Sequence, residues 1–216
     1  MTTAFRWRVA GRPTRRAIWP HQVQSPALGL AAVAVLATCT LATPALAQST
    51  PLAERLEQCS ACHGKDGNSQ LDNIPSLAGQ PAFYILNQLF MMREGVRQVE
   101  AMAPLVKDLK DEDLDAISDY YSKMEPKPSD EKVDPELVKR GATIAGKMRC
   151  ASCHLPTLAG QQQMPRLARQ RIDYLIKAMQ DLRESKRPGA DGNMTAAIAG
   201  ATPDDLVALA HYASTK

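Results

Sequence analysis

Cysteine is scarce in this chain of 216 residues: there are five, one of them Cys39 near the N-terminus and the other four gathered into two tight clusters. None is left over for a structural disulfide, so the stapling that supports many small exported domains is excluded. Histidine is scarcer still, with four residues. The longest apolar run, residues 28–41, falls short of the ~20 residues of a spanning helix. No strand-like alternation competes with helical spacing. Nor is there a basic excess once the first 47 residues are set aside. They hold five Arg and no acidic residue, leaving 21 Lys plus Arg against 23 Asp plus Glu, a net charge of −2. A nucleic-acid-binding role thereby loses its main support.

What the first 47 residues do contain is Arg6, Arg8, Arg12, Arg15 and Arg16, then the apolar run, then Ala45-Leu46-Ala47. This is the layout of a secretory signal peptide with cleavage before Gln48. A retained anchor fits less well because the run is short, and the twin-arginine and lipoprotein patterns are poorly matched at Thr14-Arg15-Arg16 and Thr38-Cys39. The expected location is the periplasm.

The remaining cysteines form Cys59-Ser60-Ala61-Cys62-His63 and Cys150-Ala151-Ser152-Cys153-His154. Cys-x-x-Cys-His is the attachment pattern of c-type haem. Thiols three positions apart on a helical turn can reach both vinyl groups of one porphyrin, and the following His can offer a ring nitrogen to the iron. A thioredoxin-like dithiol has no need of the His, and the two pairs lie too far apart for a four-cysteine zinc site. Two covalently bound haem c groups are expected.

The two pentads belong to an internal repeat. Ile74-Pro75-Ser76-Leu77-Ala78 matches Met164-Pro165-Arg166-Leu167-Ala168, and Gln80, Tyr84, Leu89 and Arg93 match Gln170, Tyr174, Met179 and Arg183. Amphipathic spacing predicts a helix ending in each pentad, through Leu52 and Leu56 in one half and Leu137, Gly141, Ile144 and Met148 in the other. Phe83, Leu86, Leu89 and Phe90 predict a middle helix, with Ile172, Leu175, Ile176 and Met179 as its twin. Leu114, Ile117 and Tyr120 predict a last helix, matched by Leu206, Leu209 and Tyr212, the latter capped by Thr202-Pro203-Asp204-Asp205. The expected fold is all-α: a domain over 48–134 and a domain over 135–216, joined by the proline-rich, semi-rigid stretch 125–135.

His63 and His154 are the expected proximal iron ligands. His21 lies in the leader and His211 reads as a surface residue, so bis-His ligation of both haems is excluded by count. Met102 and Met194 are the methionines that recur, each 12 residues before the matched Leu114 and Leu206, and they are the expected sixth ligands. A thioether opposite an imidazole raises the reduction potential and leaves no open position. Carbonyls at Pro75 and Pro165 could accept the Nδ1 proton of the imidazoles, or these could be ordinary turn prolines. Arg93 and Arg183 could pair with haem propionates or be solvated. Tyr84, Tyr174, Tyr120 and Tyr212 read as packing residues. Closed axial sites, with no spare nucleophile or substrate motif, point to a carrier and not an enzyme.

These residues carry a family resemblance. With both pentads, Gly64-Lys65-Asp66-Gly67-Asn68, Pro75-Ser76-Leu77-Ala78-Gly79-Gln80, and Met102 before Leu109-Lys110-Asp111-Glu112-Asp113-Leu114, the chain resembles the dihaem cytochrome c4 family, two class I cytochrome c domains in tandem. The second half lacks the Gly-x-Asp-Gly loop. The resemblance implies a periplasmic or membrane-associated carrier that passes electrons from a quinol-oxidising complex toward a haem-copper terminal oxidase. The alternative is the dihaem subunit of a periplasmic dehydrogenase such as flavocytochrome c sulfide dehydrogenase. A dihaem peroxidase would need an open iron site.

Charge divides unevenly. Residues 48–134 hold 9 Lys plus Arg against 16 Asp plus Glu, whereas residues 135–216 hold 12 against 7. This polarity suggests an acidic partner docking on the second domain through Arg166, Arg169, Arg171 or Lys186-Arg187, unless the charges are merely solvated faces.

Overall fold

Capping chemistry fixes where the helices begin. The computed structural model describes residues 51–189 and 192–216, so the expected leader and its cleavage site lie outside the described residues. In the first half α1 (Leu52–His63) starts after Pro51, followed by α2 (Ala82–Arg93), the short α3 (Ala103–Val106) and α4 (Asp111–Ser122). The Lys110 N–H donates to Asp113 Oδ2 at 2.9 Å, tying down the start of α4. In the second half come α5 (Pro135–Lys147), α6 (Ala151–His154), α7 (Ile172–Arg183), α8 (Gly192–Ile198) and α9 (Pro203–Ser214). Asp134 caps α5 by accepting the Glu136 N–H at 2.8 Å, and Thr202 caps α9 by accepting the Asp205 N–H at 3.2 Å. There is no β-strand among the described residues.

Each half has its own core. In the first, α1 and α2 pack on α4, around Ile85, Leu89, Val106, Leu109, Leu114, Ile117 and Tyr121. In the second, α5 and α7 pack on α9, around Ile172, Leu175, Leu206 and Leu209. Gly141 is where α5 meets α9: a Cβ there would collide with the Ala208 carbonyl and with Tyr212.

Three local expectations change. The second pentad does not end a continuous helix, because α5 stops at Lys147 and Arg149 turns into the left-handed region at φ 57° before α6 begins. On α4 the buried residue is Tyr121 and not Tyr120, which is 40% exposed. At about 100° per residue, position 121 returns to the face of Leu114 while 120 points away. On α2 the buried face is Ile85, Leu89 and Met91, and Phe83 and Phe90 are exposed.

Candidate functional site

α1 and α6 each present a pentad whose histidine is buried and whose second cysteine is exposed. His63 is 6% exposed and His154 5%, whereas Cys62 and Cys153 face solvent and Cys59 and Cys150 are half-buried. No disulfide joins the two cysteines of either pentad. Among the described residues no group of three or more His, Cys, Asp or Glu converges as a zinc site would require.

The prolines act through their carbonyls. His63 Nδ1 lies 2.8 Å from Pro75 O, and His154 Nδ1 lies 2.9 Å from Pro165 O. A carbonyl can only accept, so Nδ1 carries the proton and Nε2 is left with its lone pair. Burial pushes both imidazoles below their ordinary pKa, outweighing the upward pull of the carbonyl bonds. Both rings are therefore held neutral and oriented, as a metal-binding imidazole must be.

The post-pentad loops converge on the same carbonyl-anchored turn by different sequences. Gly67 O accepts from Leu77 and Ala78 N–H at 2.7 and 2.9 Å, and Leu158 O accepts from Leu167 and Ala168 N–H at 2.8 and 3.1 Å. Leu158 does this at φ 55°, beside Gly67 at 73°. The missing Gly-x-Asp-Gly segment thus leaves the frame under His154 intact.

A small, mostly apolar cleft opens in the first half, lined by Cys59, Leu89, Met102, Leu105, Val106 and Ile117 together with Arg55. Cys59, in α1, and Met102, at the N-cap of α3, both line it. Met194 is half-buried in the first turn of α8. Arg166 is 3% exposed, and its Nε and Nη2 have no hydrogen-bond partner, while Nη1 bonds the Ala168 carbonyl. Burial and the nearby Arg169 push its pKa down to about 10. An orphaned buried guanidinium one residue after Pro165 fits an anionic group such as a haem propionate. Sequence reading missed this burial and placed Arg166 on the surface.

The other arginines also take different roles from those expected. Arg93 bonds Leu109 O, Asp111 and Glu94, and Arg183 bonds Ala201 O and Glu184, so both brace their own halves. Arg171 is 2% exposed and sits between the halves, bonding Asp72 at 3.1 Å, Asp130 at 3.3 Å and Asp173 at 2.9 Å. Arg187 donates to Tyr84 Oη at 3.0 Å and Gln88 Oε1 at 2.9 Å, and Arg169 to Pro126 O at 2.9 Å. Three of the basic side chains nominated for an external partner, Arg169, Arg171 and Arg187, instead hold the acidic first half to the second. Of the nominated set Lys186 and Arg169 stay exposed. His211 is half-buried, its Nδ1 accepting the Asp134 N–H at 3.2 Å.

Two family models match the chain: the one described as "Cytochrome c" covers residues 138–215, and "Cytochrome C oxidase, cbb3-type, subunit III" covers residues 47–120. Each matched segment contains one pentad. Cytochrome c4 of Pseudomonas aeruginosa is 37% identical over 166 residues, spanning 71% of this chain and 81% of that protein. The thiosulfate dehydrogenase electron acceptor of Stutzerimonas stutzeri is 32% identical over 166 residues, spanning 71% of this chain and 76% of that protein. The crystal structure of reduced recombinant cytochrome c4 from Pseudomonas stutzeri superposes with a TM-score of 0.68 at 31% identity, covering 77% of this chain and 98% of that one.

Proposed function

The chain belongs to the cytochrome c4 family of dihaem electron carriers, with one haem c for each pentad, and on that premise we propose that it works in the periplasm between a quinol-oxidising complex and a haem-copper terminal oxidase. Cys59 and Cys62 would hold one haem and Cys150 and Cys153 the other, with His63 and Met102, and His154 and Met194, as axial ligands. The domains divide at residue 134, the N-cap of α5. When bound, haem c supplies a one-electron iron couple. The observation that carries the reading is the pair of buried histidines, each fixed through Nδ1 to a prolyl carbonyl so that Nε2 is free. The cleft that Cys59 and Met102 both line supports Met102 as a residue that would face a haem held by the first pentad. With Met at the sixth position the chain's own residues exclude water and small ligands from the iron, which suits a carrier and not an enzyme.

Periplasmic location rests on the leader-like first 47 residues. No helix among the described residues is long and apolar enough to cross a membrane. A second reading, the acceptor subunit of a periplasmic dehydrogenase, draws support from the relative named as a thiosulfate dehydrogenase electron acceptor. Stopped-flow mixing decides between them. Rapid oxidation of the reduced protein by a purified terminal oxidase supports the first reading. Rapid reduction by a thiosulfate dehydrogenase, with no reaction toward the oxidase, supports the second.

A further inference from the structure

Two buried glutamines at matching places in the repeat reach across the seam between the halves. Gln170 Nε2 donates to Ser76 O at 2.9 Å, and Gln170 Oε1 accepts the Ser76 N–H at 2.8 Å. Gln80 returns the grip: its Nε2 donates to Arg166 O at 2.9 Å and its Oε1 accepts the Arg166 N–H at 2.9 Å. Gln170 is 2% exposed and Gln80 4%. Gln170 Oε1 also accepts its neighbour's N–H, from Arg171 at 3.0 Å.

The peptide groups they hold are the ones that hold the histidines. The Ser76 N–H belongs to the same peptide plane as Pro75 O, which accepts from His63. The Arg166 N–H shares its plane with Pro165 O, which accepts from His154. In both halves a chain of bonds runs from imidazole to prolyl peptide to the glutamine of the other half. We infer that Gln170 and Gln80 are crossed positioning residues, each setting the reduction potential of the haem in the opposite half. The inference rests on His63 and His154 as iron ligands.

The physical link is polarisation. An amide whose N–H donates carries more negative charge on its own carbonyl oxygen, and each added bond strengthens such a chain by roughly 10–30%. A stronger acceptor at Nδ1 makes the imidazole a better electron donor, which favours the oxidised iron. Removing the glutamine weakens the acceptor, and the potential of the opposite haem rises. For a hydrogen bond to a charged centre, that fraction amounts to about a threefold change in the ratio of reduced to oxidised haem, or roughly 28 mV at 59 mV per tenfold.

The test is a spectroelectrochemical titration of the full dihaem protein with Gln170→Leu and, separately, Gln80→Leu. The two haems are told apart by hyperfine-shifted proton signals assigned beforehand to residues of each half. Gln170→Leu should raise the potential of the His63 haem about threefold in that ratio and leave the other in place; Gln80→Leu should do the reverse. Should leucine prevent folding, Gln170→Asn and Gln80→Asn keep a polar amide in the seam but end one carbon short, and read the same crossed shift. A shift confined to the mutated half, equal shifts of both haems, or unmoved potentials would overturn the inference. Failure of the ligand assignment shows elsewhere, as the absence of a low-spin histidine-ligated spectrum in the unaltered protein.

Discussion

Gly64 and Leu155 occupy the same place after their pentads and share one backbone shape, φ 86° and ψ 145° against φ 69° and ψ 159°. Their surroundings differ. In the first half the longer loop folds back so that a Cβ on Gly64 would meet the Asn68 carbonyl group, with its carbon at 2.9 Å. Asn68 is itself fixed, donating from Nδ2 to Glu125 O at 3.1 Å and accepting the Lys127 N–H at 2.8 Å. The same strained conformation is thus tolerated with a side chain in one half and forbidden to it in the other.

Gly64→Ala should therefore destabilise the first half by about 2–3 kcal/mol, combining backbone strain with the clash. Leu155→Ala, which keeps the strain already present and trims a half-buried side chain, should cost about 1 kcal/mol or less. Denaturant melts of the two variants check this, and equal losses would contradict it.

Met102→Leu should abolish the near-infrared sulfur-to-iron absorption of one haem, and Met194→Leu that of the other. Replacing either Met by His should lower one potential and leave the second where it was. An unchanged spectrum in Met102→Leu would move the assignment to another methionine.

Arg171→Leu removes a buried cation that holds Asp72 and Asp130 of the first half against Asp173 of the second. Because the partners are partly exposed and can rehydrate, a loss of about 2 kcal/mol is expected, comparable to a charge-assisted hydrogen bond. The two halves should then melt as separate transitions. Lys186→Glu, at an exposed cation, should leave the melt unchanged.

Asp205 is held at a pKa of about 2, below the ordinary 3.8, chiefly by the Thr202 N–H, then by the Thr202 side chain and Arg140. A carboxylate with a depressed folded pKa contributes stability above its unfolded pKa and loses it as pH falls toward the folded one. The stability difference between the parent and Asp205→Asn should be full near neutral pH and shrink between pH 3.8 and about 2. Melts at pH 7 and pH 2.5 measure it; a difference that grows on acidification would reverse the assignment.

The pentads and the capping of α9 were legible in the sequence because each is written in short-range spacing, whereas the prolines left two readings open until the structure set their carbonyls against the histidines. A thiol, a thiol and an imidazole within five residues, or Thr-Pro-Asp-Asp before an apolar run, specify their geometry with little help from elsewhere. Helix faces were read less well: Tyr121 and not Tyr120 is buried, and Phe83 and Phe90 are exposed. The charge contrast between the halves was visible too, but its use was not. Arg171 meets Asp72 99 residues away, and Gln170 meets Ser76 at a separation of 94. Spacing within one segment carries no information about such pairs. Gln80 and Gln170 stood at matching places in the repeat, a signal without a local partner to interpret it. Only when two similar halves pack face to face, with their prolyl turns against each other, does each glutamine find the backbone of the other half, because burial then leaves those amides no water to bond instead.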